Sequence, residues 1–451
     1  MLSNSQEGVG MKKIMVGFVA LLVVAGVCAP FINGLVMEKM VTQSQDDLNK
    51  MYVDTGSDMA VEVIKYDRKF SSSEIEWKIK LGSLAAIYGV DEIIFVDRAD
   101  HGFTGVVSKT SLEKNRWFVD LLDDKFDGKN PLTITTTYRL GRKIESVIDI
   151  GSFTLQLGNE SVASLPGRIV SEYDVGLTHW ISEATWAGFS VPGKVSMGGF
   201  SLGCDLEKIS TYIWDGDLSY EIKDIKVEGK KGNFELVNFA VQYTLGYDKN
   251  KNMLSMGGEI EIASIAVANQ KVKDAVIKLA INNIDAQSYE EFMKIYTQTI
   301  ASTLDDISLK KESSEGMDEA LKQEMATAGI QMMAACEKFL KKGLELKISD
   351  LHVQLPEGRI SGNAGLILNK DVTFAQLAPI VIQPNLAFDI FSLQSDFSIP
   401  AELISDKSKL VSPVFPGMQT GLFVIDGENL VHRTQTKNGK LLLNGNEMLF
   451  H

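Results

Sequence analysis

The chain has 451 residues, 45% of them hydrophobic, and carries 45 Lys and Arg against 59 Asp and Glu for a formal net charge of −14. A chain this long can bury a large core, and a surface this acidic repels nucleic acid and anionic headgroups, so nucleic acid is not an expected partner. Three cysteines, Cys28, Cys204 and Cys336, exclude a disulfide framework while leaving room for one bond between the last two.

Residues 1–13 are expected to be a cytoplasmic N-terminus. Residues 14–32, IMVGFVALLVVAGVCAPFI, carry no charge and follow directly on Lys12 and Lys13. A helix over this stretch, rising about 1.5 Å per residue, nearly matches the ~30 Å hydrocarbon layer of a bilayer, so Ile14, Phe18, Leu21, Leu22, Val24 and Ile32 are the expected anchor residues. A secretory signal carries a shorter apolar run, about 7–15 residues, before a small-residue cleavage site. Here Val27-Cys28-Ala29 is followed at once by Pro30, which suits a peptidase poorly, and retention of the segment is expected. Flanking cations stay cytoplasmic, so Lys12 and Lys13 put the bulk of the chain on the other side of the membrane, with the bilayer as its first partner.

Over 33–52, Met37, Met40, Val41, Leu48 and Met51 recur at helical spacing and predict a stalk that continues the anchor. From residue 53 to 451 the period changes. Glu74 to Leu81 alternates polar and apolar as a strand with one buried face must, and similar alternation runs through 133–139, 152–157, 220–227, 234–245, 259–265, 344–355, 359–368 and 440–443. Short turns such as Gly229 to Gly232, Asp248 to Asn252, Pro356 to Gly358 and Lys437 to Gly439 separate these runs, which predicts neighbouring antiparallel strands. A weak echo, Ser196-Met197-Gly198-Gly199 against Ser255-Met256-Gly257-Gly258, favours one extended sheet. Helices are predicted near 288–309, opened by a capping box at Ser288 and Glu291, and near 317–342, ending at Gly343, with a weakly helical region over 372–412. The expected fold class is α+β with β predominating: an N-terminal transmembrane helix, then a long curved antiparallel sheet of hairpins with a few packed helices.

The search for chemistry returns little. Gly199-Phe200-Ser201-Leu202-Gly203 matches the G-x-S-x-G elbow of serine hydrolases, but Phe200, Leu202 and Leu206 alternate as a strand face, which leaves Ser201 as an outward polar residue and a serine hydrolase only as a minor alternative. The five histidines, His101, His179, His352, His432 and His451, show no ligand spacing, and no phosphate-cradling or dinucleotide motif is present. No catalytic, cofactor or metal residue is assigned, and no cofactor is expected. Asp100-His101-Gly102, in a glycine-flanked turn after the apolar run Ile93 to Val96, is the one compact polar cluster.

Tyr66-Asp67-Arg68-Lys69-Phe70-Ser71-Ser72 resembles the Y-x-R-x-x-F-S-S segment of the YdgA-like family, bacterial inner-membrane-tethered proteins grouped under a domain of unknown function. Val96 to Gly102 is similar to the family's V-D-H-G-P turn, with Phe103 in place of the proline. Ser398-Ile399-Pro400 and Leu443-Asn444-Gly445-Asn446 resemble its closing elements, so the similarity covers nearly the full chain in ordered blocks. The resemblance implies topology and location in the bacterial inner membrane, single-pass, with the C-terminal body in the periplasm, and it implies no catalytic residues. The expected function is a non-catalytic envelope module, structural or binding a lipid or other apolar ligand between sheet and helices. The alternative is an interaction module that self-associates through strand edges or the 317–342 stripe.

Overall fold

The computed structural model describes the backbone of residues 7–448 except 159, 230–231, 269, 310–326, 328 and 405–420. Among these, the side chains of 7–25, 27, 86–87, 157, 298, 300–309, 381 and 404 are not described. Strand makes up 56% of the chain and helix 23%, the strands of the described residues pair antiparallel, and the class is therefore β-predominant as expected.

The chain divides into two compact units, residues 1–151 with 168–181 and residues 152–167 with 182–451. In the first, helix α1 (Glu7–Asp54) precedes β1 (Ala60–Arg68), β2 (Ser72–Lys80), β3 (Glu92–His101), β4 (Gly105–Leu112), β5 (Leu132–Arg139) and β6 (Lys143–Ile150), with the short helix α2 (Arg116–Phe126) between β4 and β5. Each of these strands pairs with the next. The inward face is legible from alternation: Phe95, Asp97, Ala99 and His101 of β3 share one side of the pleat, and the last three are buried. The second half of α1 lies on that face. Met37, fully buried, packs with Ile75, Ala99 and Val106, and Met40 packs with Ile144 and Val175. Residues 33–52 are thus packed against strands. α1 also covers the free edge of β1, because Asn49 donates to the Val61 carbonyl at 2.8 Å and accepts from its N–H at 2.7 Å, while Gln45 accepts from the Val63 N–H at 2.8 Å. Edge groups that would otherwise invite another strand are satisfied by one helix.

In the second unit, β7 (Phe153–Leu157) pairs β8 (Glu160–Ser164). β9 (Gly167–Asp174) belongs, but for Gly167, to the first unit, and β10 (His179–Val191) runs from the first unit into the second, where eight strands follow in a meander: β11 (Val195–Lys208), β12 (Trp214–Val227), β13 (Phe234–Asp248), β14 (Met253–Val267), β15 (Gln270–Asp285), β16 (Glu345–Leu355), β17 (Gly358–Leu368) and β18 (Phe391–Pro400), each antiparallel to the next. β19 (Val424–Asp426), β20 (Asn429–Lys437), β21 (Lys440–Leu443) and β22 (Asn446–Glu447) finish the sheet, with β20 pairing β18. Helix α3 (Ala286–Leu309) follows β15.

Three expectations need correction. The cap of α3 is Asp285, whose Oδ1 accepts from the Ser288 backbone N–H at 2.9 Å and from its hydroxyl at 2.6 Å; Ser288 occupies the third helical position, so the cap lies three residues before the expected one. The described part of the second helix, 329–337, ends six residues before Gly343, and its expected first part lies outside the described residues. The region expected to be weakly helical contains β18, because Phe391, Leu393, Ser395 and Phe397 alternate on one face between two neighbouring strands, and among its described residues only single turns at Phe374–Leu377 and Ala387–Ile390 are α-helical. The three cysteines are free thiols, with Cys204 buried.

Among the described residues no helix is long and apolar enough to cross a membrane. The side chains of Lys12, Lys13, Ile14, Phe18, Leu21, Leu22 and Val24 lie outside the described residues, and Ile32 is 50% exposed.

Candidate functional site

The family-like residues of the first unit meet where α1 reaches the sheet. Tyr66, Arg68, Phe70 and Ser71 sit at the β1–β2 turn, and Asp100, His101 and Gly102 at the β3–β4 turn, joined by the His101 N–H donating to the Ser71 carbonyl at 2.9 Å. Into this pair of turns α1 inserts residues that sequence reasoning passed over. Asn33, 3% exposed, donates through Nδ2 to the Gly102 carbonyl at 2.7 Å and the Phe103 carbonyl at 3.2 Å. Gly34 lies so close to the His101 ring that a Cβ there would stand 2.3 Å from Cε1. Glu38 accepts from Arg68 Nε at 2.8 Å, and the same guanidinium lies 5.0 Å from the Phe31 ring centre. The buried His101 ring meets the Ser73 hydroxyl at 2.8 Å through Nε2 and the Phe70 carbonyl at 3.5 Å through Nδ1. Burial holds the imidazole below its ordinary pKa, with Arg68 adding to the effect and the Phe70 carbonyl and Asp100 opposing it. A neutral ring protonated on Nδ1 satisfies both neighbours. These contacts form a clasp that ties α1 to the sheet.

Beyond the clasp, under α1, lies a cavity of about 290 Å³ walled by Val41, Leu48, Trp77, Phe95, Asp97, Tyr138 and Tyr173 among others. Asp97 is 6% exposed. Its Oδ2 accepts from the Trp77 indole N–H at 3.1 Å, while Oδ1 has no partner. Burial raises its pKa against the opposing pull of Thr110 and Trp77, and burial likewise pushes the Tyr66 phenol up to about 12.

The remaining family-like residues belong to the second unit and serve as structure. Pro400 closes β18 opposite Asn429, and Asn444 and Gly445, both at positive φ, make the turn into β22, with Asn444 donating to the Gly421 carbonyl at 3.0 Å. Ser201 lies in the middle of β11 opposite Glu221, with strand on both sides, so the strand–turn–helix setting of a nucleophile elbow is absent there. It shares the polar face of the sheet with Ser219, Gln242, Glu259 and Glu261. On that face Glu259 is ion-paired with Lys278 and held below the usual carboxylate range.

The opposite face of the second unit's sheet is apolar from strand to strand. The pairing registers align Leu202, Tyr220, Val241, Ile260, Ile277 and Leu351 in one row across six strands. A neighbouring row runs through Cys204, Leu218, Tyr243, Gly258, Leu279 and Ile348. On the same face Tyr220 meets Phe200 in a tilted contact and Phe239 edge-on, with ring centres 5.8 and 5.4 Å apart. One end is covered: Tyr289 of α3 and Phe339 pack against Leu254 and Ile284. The middle is open among the described residues, with Leu202, Tyr243, Leu279 and Leu346 each more than a third exposed. A folded surface rarely leaves contiguous apolar area this broad unless something binds it. The signal was present in the alternation of each strand, but only the register shows that the faces line up. Among the described residues no group of His, Cys, Asp and Glu could hold a metal.

The family model of DUF945, described as a bacterial protein of unknown function, matches residues 11–450. No curated protein and no solved structure matches the chain.

Proposed function

The chain belongs to DUF945, a family of bacterial proteins of unknown function, and from that membership and the geometry above we propose that it is a membrane-tethered, non-catalytic envelope protein whose second unit holds the apolar part of a lipid. The observation that carries this reading is the exposed apolar face of β11–β16, whose aromatic and branched side chains offer acyl chains the dispersion contacts and release from water that a core residue enjoys. The Tyr66–Ser72 and Asp100–Gly102 blocks speak for a YdgA-like member, anchored by residues 14–32 in the bacterial inner membrane with its body in the periplasm. Phe31, Ile32, Leu35, Phe70 and Phe103, all more than a third exposed around the clasp, suit the interfacial zone where aromatic rings settle at headgroup depth.

The test is extraction of the full-length protein in mild detergent, followed by mass spectrometry of co-purifying lipid. The reading predicts bound lipid above the level of a control membrane protein, reduced by Tyr243→Asp with Leu279→Asp and retained with Gln242→Asp on the polar face. Equal lipid in all three, or none in any, overturns it. An assembly module using the same face predicts concentration-dependent oligomers lost in the apolar-face variant instead.

A further inference from the structure

We infer that the cavity under α1 is a binding site for a protonated amine carried on a small apolar body, with Asp97 as its counter-ion. This site lies in the first unit and does not depend on the lipid reading of the second.

The cavity wall holds a single group able to carry charge, the Asp97 carboxyl, and no Lys or Arg. An acceptor oxygen this deeply buried and unpartnered is costly, because it gave up water and received no donor in return. Other acids of this unit have cations, Glu38 with Arg68 and Glu62 with Lys78 and Lys80, while Asp47 Oδ2 on α1 is, like Asp97 Oδ1, buried without a partner. Trp77 and Thr110 act on the Asp97 carboxyl as neutral polar neighbours, so a balancing positive charge must come from outside the chain or the carboxyl must stay protonated. The rest of the wall argues for a cation. Trp77 and Phe95 stack with centres 4.3 Å apart, and Tyr138 and Tyr173 also line the wall, so four aromatic residues share the cavity with the carboxyl. Ring faces attract ammonium groups, and aromatic rings with a carboxylate form a recurrent ammonium-binding arrangement. Val41, Leu48, Ile144 and Ile148 supply an apolar bed for the body of the ligand, and the volume of about 290 Å³ sits at the small end of ligand pockets. The acidic chain, at net −14, also raises the local concentration of cations.

The experiment is isothermal titration of the full-length protein with 2-phenylethylammonium chloride and, separately, with 2-phenylethanol, which has the same shape and a neutral donor. The inference predicts saturable binding of the amine, weaker binding of the alcohol by roughly tenfold or more, and loss of that preference in Asp97→Asn. Comparing amine and alcohol on the unaltered protein decides the matter even if the variant fails to fold. Equal affinity for the two probes, no saturable binding of either, or an amine preference that survives in folded Asp97→Asn overturns the inference.

Discussion

At the scale of single residues, the clasp concentrates its cost in a few positions. Asn33 spends its amide on two carbonyls of a turn 69 and 70 residues away in sequence, and burial leaves no water to replace it. Asn33→Ala should therefore cost about 1–3 kcal/mol and loosen the β3–β4 turn, seen as faster amide exchange at 102–105. Unchanged exchange there would show that the amide contributes nothing. His101 adds a pH dependence. Its folded pKa lies below its unfolded value of about 6.5, so the neutral ring's contribution is complete above that pH and is lost as pH falls toward the folded value. Exchange in residues 33–41, corrected for intrinsic rates, should rise between pH 7.5 and 5, and His101→Asn should flatten the profile. Arg68 and Asp100 are the charged groups acting on the ring, Arg68 lowering its pKa and Asp100 raising it.

At the scale of elements, most strands were visible before the structure was. The runs 133–139, 234–245 and 359–368 fall within β5, β13 and β17, and Glu74 to Leu81 overruns β2 by one residue, because a sheet with one buried face writes its period directly into the sequence. What local pattern hides is anything decided by a distant neighbour. β18 contains three serines and an aspartate and ends on a proline, so its propensity is poor; pairing with β17 and β20 overrides it. Asp97 follows an apolar run, and its place opposite Ile75 and Thr110, with Ala99 and His101 on the same side of β3, sets it on the inward face. Tyr66 stands out through a resemblance and His101 through its compact polar turn, whereas Asn33 and Gly34 carry no local signal of the turn they grip. Gly216 is a comparable case inside the long sheet. Its φ of +137° and the Asp205 carbonyl only 1.9 Å from a would-be Cβ leave no room for a side chain on a central strand. Gly216→Ala should cost about 3 kcal/mol and raise exchange across β11–β13 while leaving β1–β5 protected.

At the scale of the molecule, the two units differ in how they use an apolar sheet face. The first covers its face with α1 and closes the free edge of β1 with Asn49 and Gln45. The second covers one end with α3 and leaves Tyr243, Leu279 and Leu346 open among the described residues. Burying an open leucine or tyrosine of that kind is worth about 1.5–3 kcal/mol each, enough in sum to hold an acyl chain against water. A polar face on the same strands, with Gln242, Glu259 and Lys278, provides an internal control. The most direct measurement is photo-crosslinking in living cells with benzoylphenylalanine placed at Tyr243 or at Gln242, neighbours in sequence on opposite faces. Lipid adducts at 243 and none at 242 are the predicted result; protein adducts alone at 243, or equal lipid labelling at both positions, would contradict the account.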